Sequence, residues 1–211
     1  MDASTLDLII RSRPTILEIL TDRGYNLDAY KSMSADTLHK FATTNADLLK
    51  MQATHENGTR VTVLYWVEGA VRLRIAAELD KLWSDEVSDP YDPAKDEIIV
   101  ILSEPFHDAF HLQAAKQWNA RKIHMTFFHL KNLISNPAKH MFVPPHRKLS
   151  PDEITSVVAS LHMKSKNEFP HIKYHVDMQA RVHGLVPGDV VEIRRPSETA
   201  GEYTTYRVCL I

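Results

Sequence analysis

A run of five apolar residues, Ile98-Ile99-Val100-Ile101-Leu102, constrains the fold of this chain more than any other segment. Because the run has no polar alternation, it predicts a strand that is buried on both faces, as in the centre of an α/β sheet. Other predicted elements flank it, namely strands at residues 61–67 and 122–127 and helices at residues 70–83 and 106–118. This order of strands and helices makes two crossover units. We therefore expect a mainly parallel sheet in this part of the chain.

The segments around this sheet predict two further helices, a turn and a loop. Residues 6–21 follow a helical pattern that contains Pro14, and proline costs about 3 kcal/mol in a helix interior. The helix therefore either kinks there or begins at Pro14, and Gly24 is suited to end it. A second helix is predicted at residues 34–50 and a turn at Asn57-Gly58. The acidic segment 84–96 holds two Asp-Pro pairs and predicts a loop.

Prolines cluster between residues 136 and 145, and they predict a boundary between two domains. We expect an α/β domain at residues 1–138, with a mixed sheet and helices, and a small α+β domain at residues 139–211. The second domain begins with a helix signal, because Ser150 with Glu153 forms a capping box around Pro151. The apolar stripe of that helix consists of Ile154, Val157, Val158 and Leu161, and Lys164 and Lys166 are expected at its C-terminal end.

The C-terminal segment predicts two strands joined by a polar loop. Residues 190–194 alternate apolar and charged side chains, and residues 203–210 are rich in β-forming types. Pro196 and Gly201 bound the turn, which places residues 195–201 in a presented loop. Since a hairpin needs only a turn dipeptide, this much polar chemistry indicates a surface that a partner recognises.

Composition excludes several classes of protein. Lys+Arg of 25 against Asp+Glu of 27 leaves the chain nearly neutral, which argues against a protein that binds DNA on its own. The single Cys209 excludes an internal disulfide and indicates a small buried side chain rather than a nucleophile. No apolar run approaches the length of a membrane span, and no glycine-rich phosphate loop is present.

Two catalytic or metal-binding alternatives have weak support in the residues. His107 and His111 are four apart, as are His171 and His175, but neither pair has the adjacent Glu or third ligand of a zinc site. A nuclease would need clustered carboxylates for Mg²⁺. The candidates are residues 78–81, which predict a solvated helix face, and residues 92–97, which predict a solvated loop. We expect no catalytic, metal or cofactor site.

Two motifs near the C-terminus resemble a known family. The first is Arg195-Pro196-Ser197-Glu198-Thr199-Ala200-Gly201, followed by Tyr206 and Arg207. The second is His140-Met141-Phe142-Val143-Pro144-Pro145-His146-Arg147-Lys148-Leu149, in which Phe142 stands where the family usually has Leu. Both are similar to the common small subunit shared by the nuclear RNA polymerases, whose archaeal counterpart keeps only the C-terminal part. A weaker similarity lies at Thr15-Ile16 and Asp22-Arg23-Gly24-Tyr25.

The resemblance implies a non-catalytic polymerase subunit without a small-molecule substrate or a membrane. Its C-terminal assembly domain would dock on the largest subunit, and its N-terminal jaw-like domain would lie beside downstream DNA within the complex. Ser103-Glu104-Pro105 replaces the family's usual Thr-Pro-Ser stretch and makes Pro105 the DNA-proximal candidate. The partner-binding candidates are Arg195, Pro196, Ser197, Glu198, Thr199, Ala200, Gly201, Tyr206, Arg207, His140, Val143, Pro144 and His146.

Alternatives remain open at this point. A host polymerase places the chain in the nucleus, whereas the polymerase of a large DNA virus places it in a cytoplasmic factory or a virion. A free-standing transcription or interaction factor that reuses the assembly domain is the second hypothesis, and a nuclease that depends on Asp96 or Glu97 is the third.

Overall fold

The computed structural model describes residues 3–83, 91–92, 95–105 and 107–211. The chain divides into two units, Met1–Asn136 and Pro137–Ile211. Each unit has its own four-stranded sheet. Among the described residues, none of the helices combines the length and the apolarity that a membrane crossing requires.

The sheet of the first unit contains β1 (Met51–Thr54), β2 (Arg60–Trp66), β3 (Asp96–Leu102) and β4 (His124–His129), in that order. Strand β3 runs parallel to both β2 and β4, and β1 is antiparallel to β2. All seven residues of β3 are buried. The prediction of an α/β unit with a mainly parallel sheet around residues 98–102 is therefore confirmed. Strand β1, which alternates buried and exposed residues, was not predicted.

The helices of the first unit are α1 (Ala3–Asp22), α2 (Asp28–Lys31), α3 (Ala35–Thr44), α4 (Val71–Leu82) and α5 (Asp108–Arg121). Helices α4 and α5 bury Val71 and Phe110 in one cluster with Val100 and Phe127 of the sheet. Helix α1 packs against the short 3-10 helix Leu130–Leu133 that follows β4. Burial of these apolar faces, at about 25 cal/mol per Å², is the main force holding the unit together.

Helix α1 does not begin at Pro14 but runs through it, so the interpretation of Pro14 as the first helical residue is wrong. The helix ends with two hydrogen bonds, from Gly24 N–H to Thr21 O at 2.9 Å and from Tyr25 N–H to Leu20 O at 3.0 Å. Gly24 has a φ of 89°, the left-handed conformation that this Schellman-type end requires. The prediction that Gly24 ends the helix is confirmed.

The predicted helix at residues 34–50 is too long. Helix α3 begins after the capping residue Ser34 and ends at Thr44. Asn45 is extended, and its side chain accepts a hydrogen bond from Asp47 N–H, which starts the 3-10 helix Ala46–Leu49. Asparagine side chains compete in this way with the helical backbone bonds, and that competition ends α3 early.

The predicted acidic loop at residues 84–96 lies mostly outside the described residues, as does Phe106 at the predicted start of α5. Asp96, the last residue of the predicted loop, is instead the first residue of β3.

The second unit has the strands β5 (His146–Lys148), β6 (His171–Lys173), β7 (Val190–Ser197) and β8 (Gly201–Leu210). Their order in the sheet is β5-β7-β8-β6, with β6 parallel to β8 and the other pairs antiparallel. The helices are α6 (Pro151–Ser160) and α7 (Met178–Val182). The mixed sheet with helices fits the predicted α+β class.

Helix α6 begins with the predicted capping box, in which Ser150 and Glu153 bond each other's backbone N–H groups. Ile154, Val157 and Val158 pack on a core formed by Leu149, Phe169, Val190 and Val208. Leu161 does not join them, because α6 ends at Ser160 and the Leu161 side chain is 51% exposed. The next residue, His162, has a φ of 53° and turns the chain away. Lys164 and Lys166 are consequently beyond the helix, contrary to expectation.

Candidate interaction surface

The C-terminal motif forms a long two-stranded hairpin. Strands β7 and β8 pair without interruption from Val190 and Val208 to Ser197 and Gly201. Only Glu198, Thr199 and Ala200 form the loop. The prediction of a loop at residues 195–201 is therefore wrong in extent, since Arg195, Pro196 and Ser197 belong to β7 and Gly201 opens β8.

The ladder tolerates Pro196 because of its position in the pairing. Val208 N–H donates to Pro170 O at 2.9 Å, on the side away from β7. Val208 and its partner Val190 are therefore a non-hydrogen-bonded pair, and so is every second pair along the hairpin. Pro196 and Glu202 belong to this set. The missing N–H of Pro196 faces outward, and the hairpin loses no bond.

The loop is held by its own side chains. Ser197 Oγ accepts a hydrogen bond from Ala200 N–H at 3.2 Å and lies 3.4 Å from Thr199 Oγ1. Glu202 N–H donates to Ala200 O at 2.8 Å. Gly201 has a φ of 72°, the left-handed residue that often closes a three-residue hairpin loop.

One face of the hairpin, the face that packs under α6, carries a network of charges. Arg147 donates to Glu153 at 2.7 Å and to Glu192 at 3.1 Å, and Arg194 Nε donates to Glu192 at 2.8 Å. Burial alone would raise the pKa of Glu192, but the hydrogen bonds from Arg194 and Arg147 outweigh it and lower the pKa. The sequence did not predict this network, although the alternation at residues 190–194 placed Glu192 and Arg194 on one face of the strand.

The opposite face, called here the histidine face, is defined by His146, His183, Arg195 and Arg207. His146 Nδ1 donates to Pro144 O at 2.6 Å, and its ring stacks on His183 with centroids 5.8 Å apart. Burial lowers the pKa of His146, and nearby Arg195 and Arg207 act in the same direction. Arg207 Nη1 donates to His171 O at 2.9 Å. Two arginines thus lie on this face, and the Asp177 carboxylate is close enough to His146 to oppose their effect on its pKa.

The structure brings some of the predicted partner-binding residues together and separates others. His146, Arg195 and Arg207 lie on the histidine face, whereas the Tyr206 ring lies on the α6 face against Phe169, with centroids 5.6 Å apart. His140 belongs to a turn before β5, in which Val143 N–H donates to His140 O at 2.8 Å.

That turn presents apolar surface. Met141 and Phe142 are 84% and 80% exposed, and the rings of Phe142 and His140 are in contact. Val143 and Pro144 are half-buried. The position where this chain departs from the family's Leu is therefore a large exposed aromatic side chain, a residue type that is enriched at protein–protein interfaces.

Histidine and cysteine form no metal site within the described ranges, where no group of three or more His, Cys, Asp or Glu side chains is placed to hold an ion. His107 instead caps α5, since its Nδ1 accepts from Ala109 N–H at 3.2 Å. Cys209 is fully buried, and burial raises the pKa of its thiol to about 12. A thiol with that pKa is a poor nucleophile.

The carboxylates that a nuclease would need, Asp96 and Glu97, form ion pairs with arginines. Asp96 and Glu97 are buried in β3 and not solvated, which corrects the prediction of a solvated loop at residues 92–97. Asp96 accepts two hydrogen bonds from Arg60, at 2.8 and 2.6 Å. Glu97 accepts from Arg23 at 2.5 Å and from the Tyr25 hydroxyl at 3.3 Å. These pairings indicate a structural role.

The acidic residues of the other nuclease candidate, at positions 78–81, lie on helix α4. Glu78 on α4 pairs with Arg74 at 3.6 Å and with Lys81 at 3.3 Å, one helical turn away on either side. Asp80 is exposed. The prediction of a solvated helix face at residues 78–81 therefore holds for Glu78, Asp80 and Lys81 but is wrong for Leu79, which is buried in the core.

Pro105, the DNA-proximal candidate, is exposed just beyond the C-terminal end of β3. The two residues before it are fixed in place. Ser103 Oγ donates to Val67 O at 2.9 Å, and Glu104 accepts from Arg72 N–H in the first turn of α4 at 2.6 Å. A carboxylate at this helix start is favoured by the helix dipole, but it places a negative charge next to Pro105.

Comparison with known proteins identifies the C-terminal unit. Residues 135–209 match the family model described as RNA polymerase Rpb5, C-terminal domain. The chain is 26% identical over 206 residues to the DNA-directed RNA polymerases I, II, and III subunit rpabc1 of Dictyostelium discoideum, covering 97% of this chain and 98% of that protein. It is 28% identical over 210 residues to the subunit RPABC1 of Caenorhabditis elegans, covering 94% and 93% of the two proteins. The predicted resemblance is therefore confirmed: residues 135–209 are similar to the Rpb5 C-terminal domain, and the chain is similar, over nearly its whole length, to the shared subunit of RNA polymerases I, II and III.

Proposed function

We propose that this chain is a non-catalytic subunit of a multisubunit DNA-directed RNA polymerase. Its C-terminal domain docks on the largest subunit, and its N-terminal jaw-like domain lies near downstream DNA during transcription. The similarity to the two shared polymerase subunits supports this role because it spans both units of the chain and not the C-terminal domain alone.

The observation that carries the docking proposal is the contrast between the two halves of the hairpin. The inner half, at Val190–Ile193 and Val208–Cys209, is buried, whereas residues 194–196 and 198–204 are exposed. A two-stranded hairpin is marginally stable by itself in water. The exposed half carries Arg195, and Arg207 lies on the same face of the hairpin in its inner half, opposite Val191. This arrangement suits a partner that completes the packing of the hairpin.

No chemistry is assigned to the chain itself. Asp96 and Glu97 are paired with arginines, and Cys209 is buried. Nucleotide addition would belong to the two largest subunits of the complex. Since the relatives are subunits of RNA polymerases I, II and III, we place the chain in the nucleus with a host polymerase.

Native affinity purification of the tagged full-length chain, followed by mass spectrometry after a high-salt wash, tests the proposal. Equimolar recovery of two much larger subunits is the expected result, and their sequences would distinguish a host from a viral polymerase. Recovery of the chain alone would overturn the proposal. Large subunits that co-purify substoichiometrically in a parallel low-salt wash, and are absent after the high-salt wash, would indicate a free-standing factor.

A variant of the loop tests whether the hairpin takes part. Glu198 is exposed at the tip, so Glu198→Ala should reduce recovery of the large subunits while circular dichroism stays unchanged. Glu56→Ala, an exposed glutamate in the other unit, is the matched control and should leave recovery at the wild-type level. An unfolded Glu198→Ala protein would show that the loop is structural.

A further inference from the structure

The outer edge of β8 is open along most of its length. Strand β6 pairs with β8 only from His171 opposite Val208 to Lys173 opposite Leu210. Strand β8 continues for seven residues before Val208, from Gly201 to Arg207. In the part of the chain that the structure describes, no strand pairs with β8 on this side of residues 201–207.

The backbone groups on this edge can be assigned from the pairing. Val208 N–H donates outward to Pro170 O. Because the direction alternates along an antiparallel strand, the N–H and C=O groups of Thr204 and Tyr206 point to the same edge. The ladder with β6 cannot extend to them, since Pro170 has no N–H to donate to Tyr206 O. Thr204 is exposed and Tyr206 is half-buried.

The opposite edge of the hairpin is closed. Strand β5 pairs with β7 up to Ile193, and Arg194 N–H donates to Pro145 O at 3.1 Å. The next outward-facing position is Pro196, which has no N–H to offer. Proline at such a position prevents pairing with another chain. The edge that the hairpin offers to a partner strand is therefore that of β8.

Charge indicates what such a strand would carry. On the α6 face, Arg194 is already paired with Glu192 at 2.8 Å and lies 3.9 Å from Glu202. On the histidine face, Arg195 and Arg207 lie on neighbouring strands, and both lower the pKa of His146 on β5, whereas Asp177 raises it. Arg195 is exposed and Arg207 half-buried. Acidic side chains beside these two guanidinium groups would form charge-assisted hydrogen bonds.

From this geometry we infer that β8 receives an extended segment of the polymerase partner as an added strand along Thr204–Tyr206, with acidic side chains of that segment facing Arg195 and Arg207. The inference rests on the proposed docking of the C-terminal domain and specifies its mode. Main-chain hydrogen bonds supply the affinity and the two arginines supply the specificity, as in other cases of strand addition.

The test separates the backbone of residue 204 from its side chain. Thr204→Pro removes the outward N–H but no bond to β7, and Thr204→Val keeps the N–H with a side chain of similar shape. Both full-length variants are tagged and purified from their source, and the largest subunit is quantified. Thr204→Pro should lower its recovery about tenfold, as expected for one or two lost hydrogen bonds, and Thr204→Val should match the wild type.

Hydrogen exchange of the purified complex provides the second measurement. The Thr204 and Tyr206 amides should exchange slowly in the complex and rapidly in the free chain, whereas the Tyr203 and Thr205 amides, which face β7, should change little. This readout applies even where Thr204→Pro weakens the fold.

The outcomes distinguish the two proposals. Strand addition would be overturned if Thr204→Pro recovered as much of the largest subunit as the wild type does. It would also be overturned if the Thr204 and Tyr206 amides exchanged rapidly in an intact complex. Either result would leave the proposed polymerase function unaffected. Failure of the wild-type chain to recover any polymerase subunit would overturn both.

Discussion

Glu97 is the residue on which the charge balance of the first unit depends. Its side chain and that of Arg23 are only 9% and 10% exposed, and their closest atoms are 2.5 Å apart. His124 Nδ1 lies 3.4 Å from the same carboxylate. Burial alone would raise the pKa of Glu97, but Arg23 and His124 outweigh it and lower the pKa. The same environment, chiefly burial and the Glu97 charge, raises the pKa of Tyr25 to about 12.

Glu97→Gln should therefore destabilise the chain strongly. The change removes the carboxylate that pairs with the buried Arg23 guanidinium at 2.5 Å, and breaking such a pair costs about 3–5 kcal/mol. Urea unfolding followed by circular dichroism measures the loss. Glu202→Gln is the control, since this exposed glutamate lies 3.9 Å from Arg194 and surface pairs contribute about 1 kcal/mol or less. Equal losses in the two variants would contradict a special role for Glu97.

His146 should make the stability of the C-terminal unit depend on pH. Burial lowers the pKa of His146 in the folded state, and the groups that face it are His183, Asp177, Arg195 and Arg207. The unfolded chain, with a histidine pKa of about 6.5, then binds more protons than the folded chain as the pH falls. The contribution of neutral His146 to the free energy of unfolding is therefore complete above about pH 6.5. It is lost as the pH falls from there toward the lower pKa of the folded state.

The measurement is the free energy of unfolding at about pH 7.5 and about pH 5.5, on either side of the ordinary histidine pKa. His146→Gln should show a smaller decrease between the two values than the wild type. His140→Gln, which changes an exposed histidine, controls for loss of a histidine as such. Burial also lowers the pKa of His129 in the other unit, so the difference between variants is the informative quantity. An unchanged pH dependence in His146→Gln would contradict the assignment.

Among the elements, the end of α1 is a sensitive point. Gly24 has a φ of 89°, and a Cβ placed there would lie 2.6 Å from His55 Nε2. Gly58, in the turn between β1 and β2, has a similar φ of 83° with nothing within 4 Å of a Cβ. Both glycines adopt a left-handed backbone that other residues rarely adopt. Only at Gly24 would an added Cβ also clash with a neighbouring side chain.

Gly24→Ala should consequently destabilise the chain more than Gly58→Ala, which should cost about 1 kcal/mol. Thermal unfolding is measured for Gly24→Ala and Gly58→Ala, each with and without the additional change His55→Ala. The excess cost of Gly24→Ala should shrink when His55 is removed, while the cost of Gly58→Ala should stay constant. A result in which both alanines cost the same with His55 present would show that the imidazole moves aside freely.

Elements with a local physical cause were predictable from the sequence. The buried run at residues 98–102, the capping box at Ser150 and Glu153, and Gly24 as the end of α1 all depend on neighbours in the chain. The failures depend on distant residues. Asp96 and Glu97 resemble a solvated acidic loop until Arg60 and Arg23, from other elements, are placed beside them.

The hairpin shows the same limit at the candidate site. Pro196 in the sequence indicates a turn, and only the pairing of β7 with β8 shows that its missing N–H faces outward. The histidine face joins β5, β7 and β8 with His183, which lies far from His146 in sequence. Periodicity within one strand cannot reveal such a face, because its members come from strands that pair only in the fold.

At the scale of the whole molecule, the two units differ in what they offer a partner. The first unit covers its mainly parallel sheet with helices, and its buried carboxylates Asp96 and Glu97 are paired with arginines of the same unit. The second unit has an open strand edge, a face that carries Arg195 and Arg207, and an exposed aromatic side chain at Phe142. Assembly should therefore depend on the second unit and not on the first.

Dividing the chain at its own boundary tests this expectation. Tagged fragments 1–136 and 137–211 follow the two units, and each is compared with the full-length chain for recovery of the large polymerase subunits. Fragment 137–211 should recover them and fragment 1–136 should not. Circular dichroism must first show that each fragment is folded, since a domain as small as residues 137–211 is near the lower limit for a stable core. Recovery by fragment 1–136 alone would place the main contact in the jaw-like unit, and the open edge of β8 would then need a different explanation.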